Sequence, residues 1–121
     1  MRYELLYDEF KKIMPECVDF CALKERESSV EVIDGVHIIF RRAVVPYILQ
    51  EVEKNNEKSI KKIFEFLENM AKSQSIMIRE VLGFTILEAF ADEGHEKLKI
   101  LKKYMLDETL KNCIEVEKYF Y

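Results

Sequence analysis

Few side chains in this chain are of the kinds that do chemistry. The histidines are His37 and His95, and the cysteines are Cys17, Cys21 and Cys113. A catalytic set needs a nucleophile or base, an orienting partner and a charge stabiliser within reach of one another. His95 lies in a charged turn, GHEK, and reads as a solvated surface residue. His37 sits in an apolar run, where a structural histidine bonded to backbone explains it better than a catalytic one. Cys17 and Cys21 are four apart, hence neighbours on one helical face, and with a histidine they could bind zinc. No second cysteine pair follows, so buried core thiols are expected, with no metal and no cofactor.

Glu88 and Asp92 are also four apart, and Glu65 and Glu68 lie on a neighbouring predicted helix. Paired carboxylates can serve acid–base or di-metal work. No Glu-x-x-His accompanies them, and Glu93 and His95 have the wrong spacing, so a solvated acidic rim is the expectation. P-loop, GxGxxG, GxSxG and HExxH motifs do not occur in the sequence. Arg41-Arg42, Lys61-Lys62 and the cluster Lys97, Lys99, Lys102 and Lys103 read as solvated faces. On these grounds the residues offer no convincing catalytic set, and the chain is expected not to be an enzyme.

The 121 residues suffice for one domain, 1–121, with one core. A chain that is 49% hydrophobic and 35% charged is globular rather than disordered. Three glycines and two prolines fit long helices with short loops better than a β-sandwich. The formal charge of −4 argues against nucleic acid, whose phosphates are bound by Lys and Arg, and is compatible with a basic protein partner. An odd cysteine count without a CxxC pair suggests free thiols in a reducing cytoplasm. The charged opening residues do not read as a signal peptide, and no apolar run is long enough to cross a bilayer. The expectation is a cytoplasmic protein that meets neither membrane nor nucleic acid.

These side chains must be positioned by helices, and one stretch organises the rest. In residues 75–91, Ile78, Val81, Leu82, Thr85, Ile86, Ala89 and Phe90 recur at three- and four-residue steps. Met77, Phe84, Leu87 and Ala91 cover much of the opposite side, which predicts a central helix packed on both sides. Ser75 can cap it, Gly83 suggests a close approach by a neighbour, and Gly94 suits its end. Upstream, residues 2–13 predict an amphipathic helix with Leu5, Leu6, Phe10 and Ile13 inward. A second helix over 16–26 has Pro15 at its first turn and Val18, Cys21 and Ala22 on one side.

Asp34-Gly35 between apolar runs signals a hairpin, with an irregular loop as the alternative, because no further strand is evident. A helix beginning near Arg41 or Arg42 would hold Pro46 close to its first turn and end at Asn55-Asn56. Residues 57–72 form the clearest amphipathic helix, with Ile60, Ile63, Phe64, Leu67 and Met70 inward and Glu65 and Glu68 facing water. Residues 95–105 follow, with Leu98, Leu101 and Met105 inward. Asp107 is the expected cap of a last helix packed through Leu110, Cys113, Ile114 and Phe120. The fold class is all-α, an irregular HEAT-like array of about six helices around the central helix 75–91.

The segments VHIIFRRAVVPYILQEVEKN and KSIKKIFEFLENMAKSQSIMIREVLGFTILEAFADE, and the style of LKILKKYMLDETLKNCIEVEKYF, resemble a group of small bacterial all-helical, HEAT-like proteins. That group is associated with immunity to polymorphic or contact-dependent toxins. The resemblance implies an immunity protein that binds a cognate toxin domain and covers its active site; a nuclease toxin, with its basic cleft, would suit the acidic charge of this chain. It brings no catalytic residues. Candidate contacts are the carboxylates Glu65, Glu68, Glu88, Asp92 and Glu93, with Phe66 and Tyr104 as exposed aromatic anchors. Either a monomer or a homodimer through Phe66 and the aromatic Tyr119-Phe120-Tyr121 would suit. The alternative is a helical interaction module or regulatory subunit with no toxin partner.

Overall fold

A computed structural model describes residues 1–121, apart from the side chain of Val32. The chain is all-α. A 3₁₀ turn, Tyr3–Leu5, leads into α1, Leu6–Ile13. A second 3₁₀ turn, Pro15–Cys17, opens α2, Val18–Glu27, with Pro15 at the first position, where its missing N–H costs nothing. Helix α3 spans residues 36–53, α4 is Glu57–Ala71 and α5 spans residues 76–92. His95–Lys102 forms α6 and Asp107–Phe120 forms α7.

Residues 30–40 do not make a hairpin. Val32–Asp34 is a 3₁₀ turn, and the Asp34 carboxylate accepts the Glu31 N–H at 2.8 Å. Gly35, at φ 110° and ψ 160°, precedes α3, in a region of backbone space essentially reserved for glycine. Asp-Gly here starts a helix instead of reversing a strand. Helix α3 begins at Val36, earlier than expected, and carries Pro46 in its body. It tolerates the proline because the preceding turn, Phe40–Val44, is a π-helical turn, in which the Val45 N–H reaches the Phe40 carbonyl. Pro46 has no N–H to contribute, and its ring would press on the carbonyl four residues back in a straight α-helix. A wider turn just before the proline relieves that contact.

The central helix has the same feature. Ile76–Glu80 and Glu88–Asp92 are α-helical and Val81–Leu87 between them is π-helical. Ser75 caps it as expected, accepting the Ile78 N–H at 3.3 Å. Gly94, with φ 102°, separates it from α6. The wide turns of α3 and α5 pack on each other, and the two helices are joined by a 2.6 Å hydrogen bond between His37 Nδ1 and Thr85 Oγ1 and by an Arg41–Asp92 ion pair at 2.9 Å. Helices α4, α6 and α7 also contact α5.

One continuous core joins all seven helices. Phe10 of α1 stands edge-on to Phe66 of α4 at 5.3 Å and to Phe40 and Tyr47 of α3. Such edge-to-face pairs contribute about 0.5–1.5 kcal/mol beyond area burial. Cys17, Cys21 and Cys113 are free and buried, as expected of core thiols.

Several inward assignments fail. Leu5, Ile13, Val18 and Ile114 are exposed, and Phe120 is only partly covered. Met77 and Phe84 are also exposed, so α5 is sheathed on three sides and bare on one. Gly83 marks no close approach, since a Cβ there would meet nothing within 4 Å.

Candidate functional site

The seven predicted contact residues do not form one surface. Phe66 is 1% exposed and belongs to the core, which removes it as an anchor or a dimer contact. Its position explains the error: Phe66 lies beside the main stripe of α4, and the face it occupies is covered by Phe10 of α1.

Glu68 is 5% exposed and does not face water. Its carboxylate reaches across to the start of α7, where Oε2 accepts the Glu108 N–H at 3.0 Å. Oε1 accepts the Thr109 N–H and the Thr109 hydroxyl, each at 2.9 Å. The first N–H groups of a helix have no partner within it. Asp107, the expected cap, is already inside the helix; Leu106 holds the cap position and offers no side-chain acceptor. Glu68 supplies from α4 the acceptor that α7 lacks. Burial pushes the Glu68 carboxyl up, but the bonds from Thr109 and Glu108, with the charge of Lys72, outweigh it and hold its pKa below the ordinary value. This is a structural carboxylate, and its position 40 residues from its partners gave no signal in the sequence.

Asp92 is engaged by Arg41, and Glu93 by Lys97 at 3.4 Å. Glu65 and Tyr104 come together in one shallow groove of about 540 Å³ between α4 and the α6–α7 turn, with Phe64 and Leu106 as its apolar lining and Lys61 and Lys103 at its rim. Tyr104 is half-buried against Phe64, at 5.8 Å between ring centroids.

Glu88 lines a different groove, of about 250 Å³, between α5 and α7. Its walls include Glu80, Gly83 and Phe84 from α5 and Val116 and Tyr119 from α7. Phe84 is 62% exposed and Tyr119 is 89% exposed. Phe84 was not among the expected contacts, and Tyr119 was expected only as part of an aromatic dimer contact. The signal for Phe84 was present: it falls outside the stripe through Ile78, Val81, Leu82, Thr85, Ile86 and Ala89, all of which are buried.

The chemistry available elsewhere is limited. His37 bonds to a side chain, Thr85, and not to backbone. His95 is exposed and stacks on Tyr121, with 3.7 Å between ring centroids. Burial pushes the Cys113 thiol up to about 11, with Glu117 adding to the effect. The hydrogen bond to Cys21, with burial, raises Cys17 further. A thiol held protonated is a poor nucleophile and a poor ligand. Among the described residues no group of three or more His, Cys, Asp or Glu is arranged to hold a metal ion, and no helix is long and apolar enough to cross a membrane.

A family model described as a domain of unknown function (DUF7674) matches residues 3–121. No curated protein and no solved structure matches the chain.

Proposed function

The chain belongs to the DUF7674 family, and we propose that it acts by binding another protein, as an immunity protein that neutralises a cognate bacterial toxin by covering the toxin's active site. The observation that supports binding is the groove between the bare face of the central helix and α7, where Phe84 of α5 and Tyr119 of α7 stand exposed with the carboxylates of Glu80 and Glu88. Exposed aromatic side chains within a polar rim are what protein interfaces use as anchors. The toxin as partner rests on the resemblance carried by residues 36–92. Charge makes the pairing coherent. A nuclease toxin needs a basic cleft for phosphates, and a partner of net charge −4 is steered toward such a cleft and held in register there. In this reading the protein works in the cytoplasm, carries out no reaction of its own and contacts neither nucleic acid nor membrane.

The test is to purify the chain with the toxin domain encoded beside it. Binding is measured by calorimetry at about 50 mM and about 500 mM salt, where the screening length differs several-fold. The expected result is a complex that weakens with salt, together with loss of toxin activity in an equimolar mixture. Absence of association at low salt refutes the reading. Association without neutralisation would instead favour a helical interaction module.

A further inference from the structure

The groove between α5 and α7 has a distinct order of charge and apolar surface. Glu80, Phe84 and Glu88 all line the groove, at four-residue steps across the wide turn Val81–Leu87, so an exposed ring stands between two carboxylates. Among the described residues neither Glu80 nor Glu88 has a cationic partner, whereas the nearby Glu115 is held by Lys118 at 3.0 Å. Arg79, the one cation lining the groove, is turned back to donate to the Ser73 carbonyl. Gly83 leaves the floor open beside Phe84, and Tyr119 stands on the opposite wall.

We propose that this groove takes a basic amphipathic helix of the partner, one that presents an apolar side chain with a Lys or Arg one turn before it and one turn after it. The proposal rests on the reading of the protein as a binding module and names where and what it binds. On an α-helix, cations one turn either side of an apolar side chain bracket it as Glu80 and Glu88 bracket Phe84, and long Lys or Arg stems take up the difference between an α-helical turn and the wider turn Val81–Leu87. The ring of Phe84 supplies the apolar contact at the centre, where interface energy concentrates. A second copy of this chain fits less well. A two-fold contact places a patch against itself, so Glu80 and Glu88 would meet their own like charges. The Glu65–Tyr104 groove lacks this polarity, because Lys61 and Lys103 stand there beside Glu57 and Glu65.

The probe is an alanine-based helical peptide carrying Lys-x-x-x-Leu-x-x-x-Lys, titrated into the isotope-labelled full chain and followed by NMR and calorimetry. Expected are shifts confined to residues 79–88 and 112–120, and no binding of the same peptide with Glu in place of both Lys. Phe84→Ala should weaken binding about tenfold. Glu80→Lys combined with Glu88→Lys should abolish it, and Glu65→Lys with Lys103→Glu should leave it unchanged. Glu65, Lys103 and Phe84 are exposed, Glu80 and Glu88 are half-buried at the groove wall, and thermal melts verify that the variants fold. A wild-type chain that ignores the peptide, shifts that map elsewhere, or equal binding by the charge-reversed chain overturns the proposal. So does a wild-type dimer that Phe84→Ala dissolves, since a second copy would then be the occupant. A toxin complex insensitive to these variants removes the groove and leaves the function; a peptide-binding groove on a chain that binds no toxin removes the function and leaves the groove.

Discussion

Replacing Glu68 tests how α7 is held to the rest of the molecule. Its carboxylate accepts three hydrogen bonds from Glu108 and Thr109, two of them wholly buried. Glu68→Ala leaves the Thr109 N–H without an acceptor, and the Thr109 hydroxyl must find another or go without. Each buried unsatisfied group costs about 1–3 kcal/mol, while water can reach the half-buried Glu108 amide. The sum is about 2–4 kcal/mol, a large part of the roughly 5–15 kcal/mol that stabilises an ordinary domain. It corresponds to a fall of about 10 °C in the melting midpoint. Glu68→Gln keeps the volume but turns an amide donor toward other donors, and is expected to cost about 1–2 kcal/mol. The pH dependence has a definite sign. The folded-state pKa of Glu68 lies below its ordinary value of 4.5, so the ionised carboxylate is the stabilising form. Its contribution is complete at neutral pH and disappears as pH falls below 4.5 through the lowered folded value. The difference between wild type and Glu68→Gln should therefore be full at neutral pH and shrink as acid is added. Denaturant melts followed by circular dichroism measure the energies, and hydrogen exchange at residues 107–113 reports the helix start. A Glu68→Ala protein within about 0.5 kcal/mol of wild type, the range of ordinary surface changes, would refute the capping argument, as would unchanged exchange at those amides.

Phe66→Ala should lower stability by about 3–5 kcal/mol in a denaturant melt, because it opens a cavity beside Phe10; it should leave partner affinity of the remaining folded protein unchanged. Gly83→Ala should raise stability by about 0.5–1 kcal/mol, since the position is helical and the added methyl meets nothing. The same methyl narrows the groove, so partner affinity should fall while the melting midpoint rises. Cys113, with its thiol raised to about 11, should resist a thiol reagent at pH 8 in the folded protein and react once denaturant opens the core; fast labelling under native conditions would contradict its burial.

The all-α class was legible in the sequence, and so were most helix positions. The stripes Ile60–Ile63–Phe64–Leu67 and Ile78–Val81–Leu82–Ile86 are spaced by the helical repeat, and both are buried as read. Ser75 and Gly94 mark the ends of α5 because capping and positive φ are requirements of a few adjacent residues. Two local signals misled. Asp34-Gly35 suits a hairpin turn and a helix entry equally, and only the absence of a pairing strand separates them. Pro46 argued for a late helix start, because pattern reading does not foresee a π-helical turn that accommodates it.

What the amino-acid order determined by itself is therefore what neighbouring residues decide among themselves: helical periodicity, caps, breaks and the number of thiols. Tertiary structure alone decided which outward side chains stay outward. Phe66 and Phe84 both lie off the main stripe of their helices, yet α1 covers the first and nothing covers the second among the described residues. Glu68 was a surface carboxylate by pattern and became a buried cap because α7 begins against it. Coverage depends on elements brought together from across the chain, and a helix carries no local record of what will be laid upon its other face.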